Sequence, residues 1–204
     1  MNQRPSTLGF RLSTRASRGF TLVELLVSIG VLTVLTGTIL AGYRNYNNNA
    51  LFANVSEDII LALREAQVYG VGAKGVGAGP AASFDTPYGI FAKFGDPQQI
   101  IFFADTNLNR VYDSGPDAII RIISWKAPIT ITKLECGGSG GICTSNIATI
   151  TFKRPNPDAV ISDGGFSSSG SLSTGEITIE NGVSGSGFRK SKIIVTEAGQ
   201  ISLQ

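Results

Sequence analysis

Histidine is absent from all 204 residues. That excludes catalytic triads built on an imidazole base and the commonest kind of metal ligand. Cysteine is nearly absent: Cys136 and Cys143 are the only two. A structural zinc site takes about four ligands, and no other Cys or His exists to complete one. No glycine-rich phosphate loop, nucleophile elbow or paired-histidine motif occurs. Charge is scarce and balanced, with 17 Lys and Arg against 15 Asp and Glu. That balance gives no reason to expect nucleic acid or an anionic surface as the main partner.

What is present is one long apolar run. Between Phe20 and Ala41 the only ionisable side chain is Glu24. A bilayer core needs about 20 predominantly apolar residues in helical form, and this run supplies them. It exceeds the roughly 7–15 residues of a secretory h-region, and no small-residue cleavage site follows it. The leader before it, residues 1–19, contains Arg4, Arg11, Arg15 and Arg18 and no acid. Basic residues flanking a first span hold that side in the cytoplasm. The expectation is a single-pass membrane protein, N-terminus inside, with everything after about Tyr43 exported.

Glu24 is out of place in such a run. A carboxylate in hydrocarbon costs on the order of a few kcal/mol, and such residues usually have a partner. Either Glu24 sits wet at headgroup depth or it is paired. The surrounding string, Gly19-Phe20-Thr21-Leu22-Val23-Glu24, follows a basic leader and opens an apolar helix. In this it closely resembles the class III signal of the type IV pilin superfamily. The resemblance implies cleavage after Gly19 by a membrane prepilin peptidase and N-methylation of the new terminal Phe20. It also implies that Glu24 neutralises the amino terminus of a neighbouring pilin or pseudopilin subunit in a filament. Loss of the leader removes four arginines and no acid, moving the net charge from +2 to −2.

The helix is expected to run on. Phe52, Val55, Ile59, Ala62, Leu63 and Ala66 recur at three- and four-residue steps, one helical face. Gly70, Gly72 and Gly75 end the pattern. This predicts one helix from Phe20 to about Tyr69, loosened at Gly37 and Gly42, without the proline many pilins carry there. Then come β-branched, roughly alternating runs at 83–94, 99–104, 118–125, 129–134, 147–153, 176–180, 192–196 and 201–203, bounded by Gly, Pro, Asp and Ser. Residues 162–175, rich in Gly and Ser, are expected as a mobile loop. The fold class expected is α+β: a long N-terminal helix, its first half membrane-spanning, packed on an antiparallel sheet ectodomain of two small sheets. The division expected is leader 1–19, membrane or filament-core helix 20–42, amphipathic helix 43–70 and β-rich ectodomain 71–204. Leu63-Arg64-Glu65-Ala66-Gln67, Ile150-Thr151-Phe152-Lys153-Arg154-Pro155 and the closing Lys192-Ile193-Ile194-Val195 strand before Glu197-Ala198-Gly199-Gln200-Ile201 also resemble the minor-pseudopilin branch typified by GspH and FimT.

Three smaller features carry readings of their own. Cys136 and Cys143 flank Gly-Gly-Ser-Gly-Gly-Ile. A structural disulfide closing that loop in an oxidising compartment is expected, with two free thiols as the alternative. Asp105, Asn107, Asn109, the Val111 carbonyl and Asp113 set oxygens at steps of two, as in a calcium loop, with Asp117 one residue past the place of its last ligand. Arg110 stands where that loop's glycine belongs, and Pro116 where its bidentate Glu belongs. The alternative is an Asx-rich turn between two strands. Arg189, Lys190 and Lys192 form a basic cluster that either contacts nucleic-acid phosphates or protects a strand edge. Family members tied to DNA uptake carry a C-terminal arginine motif, which Gly199-Gln200-Ile201-Ser202 lacks.

Overall fold

The computed structural model describes residues 19–72, 74–76, 84–96, 98–137, 143, 146–164, 172–182 and 185–204. The chain divides into two units, residues 1–44 and 45–204. Helix α1, Leu22–Val71, is a single 50-residue element that begins in the first unit and ends in the second.

In the first unit the described side chains of α1 are exposed. Every large apolar side chain from Leu22 to Leu40 is more than half exposed, Leu22 at 79%. In the second unit the helix buries one stripe. Ile59, Ala62, Leu63 and Ala66 are fully buried, and Phe52 and Val55 are 8% exposed. Each large side chain buried here contributes about 1.5–3 kcal/mol. The helix ends at Val71, where glycines replace the stripe. At Gly70 a Cβ would lie 2.3 Å from the Phe152 carbonyl oxygen, so only glycine lets the helix end approach that strand.

The stripe packs on two antiparallel sheets. The first orders its strands β3-β2-β1-β5-β6, from β1 (Tyr88–Lys93), β2 (Gln99–Ala104), β3 (Ala118–Ser124), β5 (Ile147–Phe152) and β6 (Ala159–Ser162). The second orders β4-β7-β8-β9, from β4 (Thr130–Cys136), β7 (Thr174–Glu180), β8 (Lys190–Thr196) and β9 (Ile201–Leu203). Alternation sets the faces. Ile90 lies opposite both Phe102 and Ile150, and all three are buried. Ile177, Ile179, Ile193 and Val195 join the same core from the second sheet. Tyr69 of α1 rests its ring 5.5 Å from Tyr88 and 5.6 Å from Phe102.

The structure departs from the sequence reading in three places. Ala159–Ser162 forms a strand, although no strand was expected there. Residues 162–175 are not one loop: Ser162 ends β6 and Thr174-Gly175 open β7, while 165–171 lie outside the described residues. The strand expected over 83–94 begins only at Tyr88. Cys136 and Cys143 are joined by a disulfide, and the Cys143 N–H donates to the Leu134 carbonyl at 3.2 Å. That bond places Cys143 beside Leu134 of β4.

Candidate functional site

Gly19 and Phe20 precede the first turn of α1, and Phe20 is 77% exposed. Thr21 caps the helix. Its hydroxyl accepts the Glu24 N–H at 3.2 Å, and its carbonyl accepts the Leu25 N–H at 3.1 Å. Thr-x-x-Glu is a capping-box spacing, a local signal that the sequence reading passed over. Glu24 therefore sits in the first turn, where the helix dipole favours a carboxylate by about 0.3–1 kcal/mol.

The hydroxyls of the apolar segment are satisfied within the helix. Ser28 donates to the Glu24 carbonyl, Thr33 to Ile29, Thr36 to Leu32 and Thr38 to Leu35, at 2.7–2.8 Å. Such bonds let polar side chains enter an apolar environment without an orphaned group. The Glu24 carboxylate has no such bond; among the described residues it meets no hydrogen-bond donor or cation. Leu22–Leu40 is long and apolar enough to cross a membrane.

Residues 14–40 match the prokaryotic N-terminal methylation motif. The motif supports a type IV pilin-like, membrane-anchored subunit of a pilus or pseudopilus, processed by prepilin peptidase and assembled with other pilins. No curated protein and no solved structure matches the chain.

The 105–117 segment assembles the residues expected there, and their oxygens accept hydrogen bonds from the loop itself. The Asp105 carboxylate accepts the Asn109 N–H at 3.2 Å and the Arg110 N–H at 2.8 Å. Asp117 accepts the Thr106 N–H at 3.0 Å and the Asp113 N–H at 2.8 Å. Asn107 and Asn109 accept N–H bonds from Asn109 and Val111, and both side-chain amides donate to Asp113. This is a nest of Asx turns. Among the described residues no group of three or more His, Cys, Asp or Glu side chains is arranged to hold a metal. Burial pushes the Asp105 carboxyl above its usual range, and the Asp117 charge adds to that, while the N–H groups of Arg110, Asn109 and Leu108 oppose it.

The same loop folds back over the outer face of the five-stranded sheet. The Tyr112 ring lies 4.8 Å from Phe91 and 5.2 Å from Phe103, and the Ser162 hydroxyl donates to the Arg110 carbonyl at 3.0 Å. Leu108 and Arg110 adopt left-handed backbone angles of 61° and 66°. The amide bonds to Asp105 offset part of that strain, about 1–2 kcal/mol per residue.

The basic cluster is largely neutralised. Lys192 Nζ lies 2.6 Å from Glu176 and 3.7 Å from Glu135, and Lys190 lies 3.8 Å from Glu180. Lys133 completes the face with a 2.8 Å bond to Glu135. Three lysines thus oppose three glutamates across β4, β7 and β8. These partners are invisible to a local reading, because each lies on a different strand from its lysine or two residues along it. Arg189 makes no ion pair among the described residues; its backbone bonds to Asn181.

Proposed function

We propose that this chain is a structural minor pilin or pseudopilin of the GspH/FimT type, built into a type IV pilus or a type II secretion pseudopilus. Peptidase cleavage between Gly19 and Phe20 and methylation of Phe20 precede assembly. The arginine-rich leader keeps the N-terminus cytoplasmic, and the β-rich domain is exported. The mechanism is assembly rather than catalysis. The apolar segment of α1 bundles with neighbouring helices, and Glu24 pairs with the Phe20 amino group of an adjacent subunit. One observation carries this reading: within the matched motif, every side-chain hydroxyl from Ser28 to Thr38 is bonded in the helix, and the Glu24 carboxylate has no partner among the described residues.

DNA binding for uptake is the competing reading, and the charge ladder speaks against it. A phosphate contact needs a cation free to release its counterions, whereas Lys190 and Lys192 already face glutamates. The deciding experiment is Glu24→Gln in the producing organism. Processing and ectodomain folding should persist while recovery in sheared filaments falls. Losing one partner of a buried charge pair costs about 3–5 kcal/mol. Undiminished incorporation would leave Glu24 a wet capping residue and remove the assembly role.

A further inference from the structure

The strand edges of the second unit are treated unequally. Outside β6, Leu172 N–H donates to the Ile161 carbonyl and Ala159 N–H to the Glu197 carbonyl. Outside β4, the disulfide-held Cys143 N–H bonds Leu134. β9 is three residues long. β3 is seven residues long and pairs only with β2. Among the described residues no backbone group bonds its other side. Such an edge presents a row of N–H and C=O groups that an extended strand satisfies.

The side chains of β3 do not guard it. Ile119, Ile120 and Ile122 are 49%, 40% and 50% exposed. The one charge, Arg121, is turned away from the edge and onto the helix, where it bonds Glu65 at 2.8 Å. Register places Ile119 opposite Phe103 and Ile122 opposite Ile101, on the outer face, and Arg121 opposite Phe102, on the helix face. Ile120 is skipped as a bulge, so pairing is continuous over Arg121–Ser124 and resumes at Ile119 and Ala118.

Beside the Arg121–Ser124 end lies a cleft of about 580 Å³ between β3 and α1. Leu61, 60% exposed, forms its apolar wall. Of its charged groups, Glu65 and Arg121 pair with each other, and Asp58, which lines an adjoining cleft with Lys126, makes no ion pair among the described residues. Among the described residues Asp58 is thus the unpaired charge of this cleft, beside an open apolar strand edge.

We propose that β3 is an acceptor edge, completed in the assembled filament by an extended strand from the exported domain of a neighbouring subunit. The donor strand is apolar and β-branched where it meets Ile119, Ile122 and Leu61, and carries one lysine or arginine opposite Asp58. The proposal rests on the filament reading above.

The test compares amide hydrogen exchange of the full chain in detergent micelles with the same chain in sheared filaments. Alternate amides within 121–124 should exchange at least about tenfold more slowly in the filament. A photo-crosslinking residue at position 122 should join a strand segment of a neighbouring filament subunit, and Asp58→Lys should reduce that crosslink without changing thermal stability. Incorporation with unchanged exchange overturns the acceptor edge and leaves the filament reading standing. A crosslink only to a partner's helix also overturns it. A chain missing from filaments overturns both.

Discussion

Replacing Gln67 with leucine removes the side chain that ties α1 to turns of both sheets. Gln67 Nε2 donates to the Pro157 carbonyl at 3.1 Å and to the Gly199 carbonyl at 3.0 Å. Pro157 leads into β6 of the first sheet, and Gly199 lies between β8 and β9 of the second. A neutral hydrogen bond contributes about 0.5–1.5 kcal/mol net, so the pair should contribute about 1–3 kcal/mol. Gln67 is only half-buried, so the freed carbonyls regain water and add little further penalty. Leucine matches glutamine in helix propensity, so the helix itself is unaffected. Gly199 closes the same joint with φ 78°; a Cβ there would lie 2.1 Å from the Pro157 oxygen and 2.8 Å from Gln67 Nε2. Gly199→Ala must therefore break the Gln67 bonds as well as strain the backbone, and should cost more than Gln67→Leu. The assay is urea unfolding of the purified full chain in detergent, followed by fluorescence of Trp125, its only tryptophan. Because both changes act on one joint, the double variant should lose less than the sum of the single losses. An unchanged midpoint for Gln67→Leu, or full additivity with Gly199→Ala, would refute the reasoning.

Two further outcomes follow from the ectodomain. The hydrogen bond from Lys133, with the charges of Lys133 and Lys192, holds the Glu135 carboxyl below its ordinary value of 4.5. Its stabilisation is present above that value and lost as pH falls through the lowered one; Glu135→Gln should cost about 1–2 kcal/mol at neutral pH and show a shallower acid limb in unfolding-versus-pH curves. Millimolar calcium should leave the thermal midpoint unchanged, because the loop oxygens already accept amide hydrogens; a stabilisation of about 1.4 kcal/mol at ten times the dissociation constant, lost in Asp105→Ala, would show that the loop opens to hold the ion.

The helix was legible because its information is local. The recurrence from Phe52 to Ala66 has the helical period, and every member is buried. The eight strand runs stood out as β-branched stretches between turn residues. β6 escaped because Ala159-Val160-Ile161-Ser162 stands between Asn156-Pro157-Asp158 and a Gly/Ser-rich tract, and its pairing with β5 is what makes it a strand. The loop at 105–117 was legible in composition but not in placement. Nothing near Tyr112 in sequence announces Phe91 or Phe103, which it meets across the sheet. The same holds for Lys192, which reads as a lone cation until β4 and β7 bring Glu135 and Glu176 to it. At the N-terminus the matched motif was readable residue by residue, while the unpartnered state of Glu24 emerged only once the bonds of its neighbouring hydroxyls were known.

The central claim is that a peptidase releases a pilin-like subunit beginning at Phe20. Intact-mass analysis of the protein extracted from membranes, with fragmentation of its N-terminal peptide, tests it directly. The account predicts loss of residues 1–19 and one added methyl group on the Phe20 nitrogen. It also predicts that a bulky residue in place of Gly19 leaves the leader attached. A mature chain that keeps Met1–Gly19, or begins at any other residue, would contradict it.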